Sequence, residues 1–214
     1  PNTAPQVKKE AVKTYNGQIT ECEPTLEARE KAAKKIETEK GATFIHPSND
    51  MDVILGQATA AMELLEEHPN LDYIISPVGG GGLIAGTALA IKHFSKDRIC
   101  IGAEPKEVDD AWRSLKSGKI ETNPSTNTIA DGLKTQLGDQ NFPIILEQVK
   151  EIIRVSEKEI LVAMKLIWER MKIVVEPSSA VALAAILKEK SRFSDKNIGI
   201  IISGGNVDLS NLPF

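Results

Sequence analysis

Sulfur, clusters of positive charge and long apolar runs are scarce in this sequence, and each scarcity argues against a class of function. Cysteine occurs only at Cys22 and Cys100, far apart and outside any C-x-x-C spacing, which argues against a disulfide framework or a zinc site. The three histidines, His46, His68 and His93, lie apart without metal-ligand spacing and read as surface or packing residues. No apolar run approaches the ~18 to 20 residues of a membrane span and no secretory signal is recognisable, so a cytoplasmic protein without membrane partners is expected. A net charge of −4 with no Lys/Arg cluster argues against a nucleic-acid surface and leaves small molecules and other subunits as partners. The G-x-G-x-x-G fingerprint is missing as well, which disfavours a dinucleotide-binding Rossmann domain.

What is present is ordinary for a globular protein. The 214 residues are 41 % apolar and 26 % charged, enough for one good core, or a core with a smaller lobe. The stretch Ser76 to Gly86, SPVGGGGLIAG, follows an apolar run, Leu71 to Ile75, that reads as a buried strand, and leads into an Ala-rich helix, Thr87 to Phe94. Four glycines between a strand and a helix let backbone N–H groups and the helix dipole approach a phosphate; a flexible turn accounts for the same residues.

Before this stretch the pattern predicts a helix over residues 5 to 16, a strand Gln18 to Cys22, a helix Thr25 to Lys40, a strand Ala42 to Ile45 and a helix Met51 to His68. After it come a strand Arg98 to Ala103, a polar stretch, a helix Pro143 to Lys150 and a strand Glu151 to Val155. Then follow a capping box at Ser156 and Glu159, a helix Glu157 to Lys172, a helix Ser179 to Lys190, and a strand Asn197 to Ile202 that delivers a second glycine loop. Strands alternating with helices predict an α/β fold, a doubly wound and mostly parallel sheet, with the remnant of a smaller α/β domain. The loops at 76 to 86, 103 to 110 and 203 to 206 each follow a strand, so they share one rim at its carboxyl end.

PVGGGGLIAG, AEPKEVDD, TIADGLK, WERMKIVVEPSSAVALAA and IIISGGNVDL, in that order, resemble the fold-type II pyridoxal phosphate enzymes of the serine racemase and serine/threonine dehydratase family. The likeness runs over essentially the whole chain. It implies that Gly79, Gly80, Gly81, Gly82 and Leu83 hold the phosphate of pyridoxal 5′-phosphate and that Ser203 faces its pyridine nitrogen. An alcohol there hydrogen-bonds the nitrogen but cannot hold it protonated as a carboxylate would, which suits α-proton exchange and β-elimination better than transamination. Glu176 corresponds to a carboxylate close to the ring, and Asp131 and Gly132 to a loop on the substrate side. Glu104, Val108 (through its carbonyl) and Asp110 match a divalent-cation site, hard oxygen ligands suited to Mg2+ or Ca2+, with Asp72 joining through water; alone, such an acidic run is a solvated turn. Lys172 and Asn206 match contacts to a nucleotide activator, ATP, at the interface of a homodimer. Taken without the resemblance, Ser203 reads as a helix N-cap, Glu176 as an exposed strand-end acid and Lys172 as a surface lysine.

The pattern also breaks. The family's Schiff-base lysine sits in a motif of the type SFKxRGA and its ring-supporting loop reads SGNHxQA; neither occurs here, and both would lie before Pro1. The chain starts in a piece that reads as a loop entering a helix, so a fragment or processed form is expected, with residues 1–48 from the small domain and 49–214 from the large cofactor-binding domain. The implied activity of the full-length parent is racemisation of serine together with β-elimination of serine or threonine to a 2-oxo acid and ammonia. The alternatives are a catabolic threonine/serine dehydratase and a non-catalytic truncated subunit.

Overall fold

A computed structural model describes residues 1–95 and 97–214. Their contacts divide the chain into two compact units, one of residues 1–45 with 206–212, the other of residues 46–205 with 213–214.

The smaller unit carries helices α1 (Gln6–Thr14) and α2 (Leu26–Lys40). The Thr25 hydroxyl accepts the Ala28 N–H at 3.1 Å, and Gly41, at φ +64°, ends α2 in the left-handed conformation that glycine adopts without a Cβ penalty. The strands expected at 18–22 and 42–45 are not formed. Both segments lie without a ladder partner among the described residues, and an extended segment becomes a strand only when a neighbour takes up its backbone N–H and C=O groups. Residues 18–22 are tied instead by single contacts: Lys9 Nζ pairs with Glu21 at 2.6 Å, and the Asn2 N–H donates to the Cys22 carbonyl at 2.8 Å.

The larger unit runs α3 (Met51–Glu67), β1 (Tyr73–Pro77), α4 (Gly82–Phe94), β2 (Ile99–Pro105), α5 (Asp110–Ser117), α6 (Phe142–Gln148), β3 (Glu151–Val155), α7 (Glu157–Leu166), α8 (Pro177–Lys188) and β4 (Ile198–Ile200). The strands of the described residues make one parallel sheet in the order β3-β2-β1-β4, with Ile75 level with Ile101 and Ile200. Side chains alternate across a strand, so each buried pair splits between two faces. Ile74, Cys100 and Ile152 join the cluster formed with α3, α4 and α6. Ile75, Ile101 and Ile153 are buried outside that cluster, and α8, backed by α7, lies against β1, β2 and β3. The sheet is therefore covered on both faces, as the near-continuous apolar strands require.

Several boundaries move from expectation, each for a local reason. α4 begins inside the glycine run, because Gly81 at φ +88° turns the chain directly into the helix. α5 occupies part of the stretch read as polar: Gly118 stops it at φ +73° and Ala111 and Ser114 are buried on one side. α8 starts at Pro177, whose fixed φ and missing N–H suit a first helical position. α7 passes at Ile167–Met171 into a π turn that Lys172 closes at φ +59°. The capping box forms as expected, with Ser156 and Glu159 exchanging side-chain-to-backbone hydrogen bonds.

The α3–α4 contact rests on a missing methyl group. A Cβ on Gly86 would stand 2.4 Å from the Ile54 carbonyl oxygen and 2.7 Å from the Ala58 nitrogen, both backbone atoms that cannot step aside. Gly56, on exposed α3 surface, would meet nothing within 4 Å. Gly86→Ala is expected to lower unfolding free energy by about 1–3 kcal/mol through overpacking, and Gly56→Ala to raise it by about 0.5–1 kcal/mol through helix propensity. Urea unfolding of the two variants checks the pair, and equal effects would contradict the packing assigned to Gly86.

Candidate functional site

Because the strands are parallel, the chain leaves every strand on the same side of the sheet, and the rim there collects the candidate residues. The loop after β1 is the tightest part. Gly79, Gly80, Gly81 and Gly82 are all buried, and Leu83 follows half-buried in the first turn of α4. A Cβ at Gly79 would lie 2.9 Å from the Leu133 Cα, one at Gly80 2.3 Å from the Ser48 Oγ, and one at Gly82 2.9 Å from the Ser48 Cα. No side chain caps α4, so its first-turn N–H groups, which have no intrahelical acceptor, remain for a ligand at the positive end of the dipole. This cradle fits a phosphate group.

Asn141, absent from the residues singled out in the sequence, pins the loop. It is fully buried. Its Nδ2 donates to the Gly80 carbonyl at 2.7 Å and to the Ser48 carbonyl at 2.8 Å, and its Oδ1 accepts the Gly138 N–H at 3.1 Å. Asn49 repeats the tie from the other side, with Oδ1 accepting the Gln140 N–H at 2.8 Å and Nδ2 donating to Asp139 at 2.8 Å. His46 fixes the segment that bears Ser48 and Asn49 from within, its Nδ1 accepting the N–H groups of both.

Next along the rim is the 3-10 turn Asp131–Leu133. Glu157, in the first turn of α7, accepts the Thr128 hydroxyl and the Ile129 N–H, both at 2.8 Å, and the Gly132 N–H donates to Ser178 Oγ at 3.0 Å. Asp131 and Gly132 are thus brought beside both the glycine loop and the start of α8. Beyond them stand Glu176, which precedes Pro177, and Ser179. The Ser179 hydroxyl accepts the Gly204 N–H at 2.6 Å, lies 2.7 Å from the Gly204 carbonyl and 3.1 Å from Ser203 Oγ. A Cβ on Gly204 would be 3.0 Å from Glu176 Oε1. The expected cofactor and substrate-side residues therefore line one continuous edge, joined by Ser178 and Ser179, whose place directly after Pro177 at a helix start was the available sequence signal.

The acidic residues gather after β2. Glu104 is 1 % exposed, and its two oxygens accept the Ala111 N–H at 3.0 Å and the Trp112 N–H at 2.9 Å at the start of α5. Asp110, also 1 % exposed, accepts the Leu137 N–H at 3.3 Å and an Asn123 Nδ2 hydrogen bond. Val108 is buried in the 3-10 turn Lys106–Val108 between them. Burial pushes Asp110 up from 3.8 to about 6; burial first, then the charge of Asp110, drives Glu104 well above the ordinary carboxylate range. The burial is relieved either by retained protons or by a cation, and carboxylate oxygens keep lone pairs for a hard one. Among the described residues no third His, Cys, Asp or Glu completes the group, so carbonyls and water would supply the remaining ligands.

Two expectations fare differently. Asp72 precedes the first residue of β1 and accepts the Asn197 N–H at 2.9 Å, whereas Glu104 lies near the far end of β2; Tyr73 is level with Ile99, so the length of the sheet separates Asp72 from the acidic pair. The pairing register corrects that expectation. Lys172 closes the π turn and its Nζ donates to the Glu169 carbonyl at 2.8 Å; Asn206 is exposed and belongs to the other unit.

Comparison with known proteins gives a consistent picture. The model of a family described as pyridoxal-phosphate dependent enzymes matches residues 1–204. A beta-hydroxyaspartate dehydratase of Paracoccus denitrificans (strain Pd 1222) is 48 % identical over 214 residues, covering 100 % of this chain and 68 % of the relative. A serine racemase of Dictyostelium discoideum is 50 % identical over 216 residues, covering 99 % of this chain and 67 % of the relative. The solved structure of maize serine racemase is 46 % identical with a TM-score of 0.94, covering 98 % of this chain and 65 % of that one. The chain thus spans about two thirds of the length of these relatives.

The buried acidic pair has a signed consequence. Unfolded, Asp110 loses its proton near 3.8; folded, it holds the proton to about 6. Between these values the native state binds more protons, so stability falls as pH rises, by up to about 1.4 kcal/mol per pH unit for one group. In chelator-treated protein the urea midpoint is expected to drop between pH 4 and pH 6, and Asp110→Asn to flatten that drop and raise the midpoint at pH 7. Parallel profiles for the two proteins would show that Asp110 is not titrating in this window.

Proposed function

The chain belongs to the pyridoxal-phosphate dependent enzymes, and on that footing we propose that it forms the phosphate- and ring-holding part of a racemase/dehydratase acting on 3-hydroxy amino acids, with serine the first substrate. The observation that carries the reading is the continuous rim from Gly79–Gly82 through Asp131–Gly132 to Ser179 and Ser203. Bound pyridoxal 5′-phosphate supplies the electron sink that makes the α-proton of an amino acid removable. The α4 N-terminus would hold the phosphate dianion of the cofactor, its first-turn N–H groups donating to it. Ser203, held by Ser179, presents a neutral hydroxyl to the pyridine nitrogen. Glu176 lies beside Gly204 on the ring side, and Asp131 and Gly132 face the substrate. The Schiff-base lysine of the family lies outside these 214 residues, and it and an opposite-face base complete the site.

Serine that loses its α-proton has two fates: reprotonation on the other face inverts it, and loss of the β-hydroxyl with uptake of water gives pyruvate and ammonia. Glu104, Val108 and Asp110 take Mg2+ or Ca2+, which offsets the buried negative charge. The similarity to beta-hydroxyaspartate dehydratase over the entire chain favours a second reading, elimination from 3-hydroxyaspartate. A homodimer and activation by ATP accompany the proposal on family resemblance alone.

Incubating the full-length holoenzyme separately with L-serine, L-threonine and 3-hydroxyaspartate, and measuring the D-enantiomer, 2-oxo acid and ammonia, tests the reading. D-serine with pyruvate is expected; turnover of 3-hydroxyaspartate alone would replace the first reading by the second, and no turnover of any substrate would sink both. Mg2+ is expected to raise the thermal midpoint of the unaltered protein and not that of Asp110→Ala. An equal rise in the two would remove the assigned cation site.

A further inference from the structure

The glycine loop is not held by its own sequence alone. The Gly80–Gly81 peptide is trans, like every peptide bond among the described residues, so its N–H and C=O point in opposite directions. Asn141 Nδ2 holds the Gly80 carbonyl at 2.7 Å, which turns the Gly81 N–H away from Asn141. Gly81 is the N-cap of α4, so that N–H comes directly before the first-turn amides of the helix. The same Nδ2 holds Ser48 at 2.8 Å, and Ser48 fills the volume that Cβ atoms at Gly80 and Gly82 would need. One fully buried amide therefore sets the direction of a loop peptide and the position of the wall behind it.

The other end of the Asn141 side chain reaches the backbone turn that also binds Asp110. Oδ1 accepts the Gly138 N–H at 3.1 Å, and the neighbouring Leu137 N–H donates to Asp110 Oδ2 at 3.3 Å. Leu137 is itself packed in the core, and a Cβ on Gly81 would touch its Cδ2 at 2.7 Å and the Asn141 Oδ1 at 2.6 Å. Asp110 and Gly80 are thus linked by three hydrogen bonds joined through the Leu137–Gly138 peptide and the Asn141 amide, all of it buried except the half-buried Gly138. Drawing Asp110 towards a cation alters what its Oδ2 offers Leu137, and the turn bearing Gly138 can pass that change to the amide that orients the loop.

We propose that Asn141 is a positioning residue that aims the Gly80–Gly81 peptide at the cofactor phosphate and couples the loop's affinity to cation binding at Glu104, Val108 and Asp110. This rests on the phosphate and cation readings given above. Coupling between two sites is reciprocal, so it is measurable as binding without turnover.

The test uses full-length protein and its Asn141→Leu and Asn141→Asp variants, each titrated with pyridoxal 5′-phosphate by fluorescence with and without saturating Mg2+. Both variants remove the amide donors to Gly80 and Ser48; Asp keeps the side-chain shape and the acceptor for Gly138, and a cooperative thermal transition establishes that each variant is folded before its affinities are compared. In the unaltered protein Mg2+ is expected to tighten cofactor binding by at least about fivefold. In the variants this factor falls towards one, while the rise in thermal midpoint on adding Mg2+ persists. The 31P signal of the bound phosphate is expected to shift in the variants as well, reporting the changed donor set. A variant that binds cofactor more weakly but keeps the full Mg2+ factor has only lost stability, and the coupling is overturned. If Mg2+ raises the midpoint of the unaltered protein without changing cofactor affinity, the coupling again fails while the cation site stands. If Mg2+ does neither, the cation reading fails and the coupling falls with it.

Discussion

The rim depends on how closely backbone can approach backbone at Gly79–Gly82. Ser48, Leu133, Leu137 and Asn141 occupy the volume that four Cβ atoms would claim, at separations down to 2.3 Å, so no other residue type allows this closure. Glycine carries a cost here, because it surrenders more conformational freedom on folding than any other residue. The burial of the loop and the three hydrogen bonds of Asn141 offset that cost and convert flexible peptides into fixed donors. A loop fixed before the ligand arrives loses less entropy on binding, which is the physical advantage of building an anion site from packed backbone.

Charge is distributed on the same principle of local contrast. Asp109 and Asp110 are neighbours with opposite fates. Burial alone would raise Asp109, but Arg113 at 2.8 Å and Arg154 at 2.7 Å hold it below the ordinary carboxylate range. Arg154 is in turn stacked 3.5 Å over Trp112. Asp110, one residue on, points into the core and receives neutral donors from Leu137 and Asn123. Fixed guanidinium groups are thus engaged on the outer side of α5, and the inner side keeps two carboxylates whose charge an exchangeable ion can balance. A structural ion pair would have buried that charge permanently; the arrangement leaves it available to respond to conditions.

Much of this was legible in the sequence, and the limits follow from which forces are local. Strand β3, the Ser156–Glu159 capping box and helix α3 were readable because periodicity and caps act within a few residues. The glycine loop was readable because four successive glycines between a strand and a helix leave a compositional mark, whereas Ser203 and the acidic run were singled out only by the family resemblance and alone read as a helix N-cap and a solvated turn. The strands expected at 18–22 and 42–45 failed because a strand is a relation between segments, and alternation within one segment does not supply the neighbour. Asp72 was misplaced for the same reason: only the register shows that it and Glu104 occupy opposite ends of the sheet. Asn141 was invisible because its chief partner, Gly80, lies 61 residues away, and an asparagine before Phe142-Pro143 reads as a helix start.

The two sides of the rim, phosphate side and ring side on the proposed reading, are held in different ways, and under that reading the difference gives them different tasks. The phosphate side is buried and fastened by a side-chain amide with every donor and acceptor engaged. The ring side is open: Ser203 is exposed and its hydroxyl meets Ser179 at 3.1 Å. Ser179 has one proton and two acceptors for it, the Gly204 carbonyl and Ser203 Oγ. When that proton goes to Gly204, Ser203 donates to Ser179 and turns lone pairs outward; when it goes to Ser203, the Ser203 proton is free to point outward. The pair is therefore either acceptor or donor towards a ring nitrogen, and neutral in both states. On the proposed reading, such a site would tolerate a nitrogen that gains or loses its proton without fixing it, so the buried side would govern retention of the cofactor and the open side how strongly its ring draws electrons.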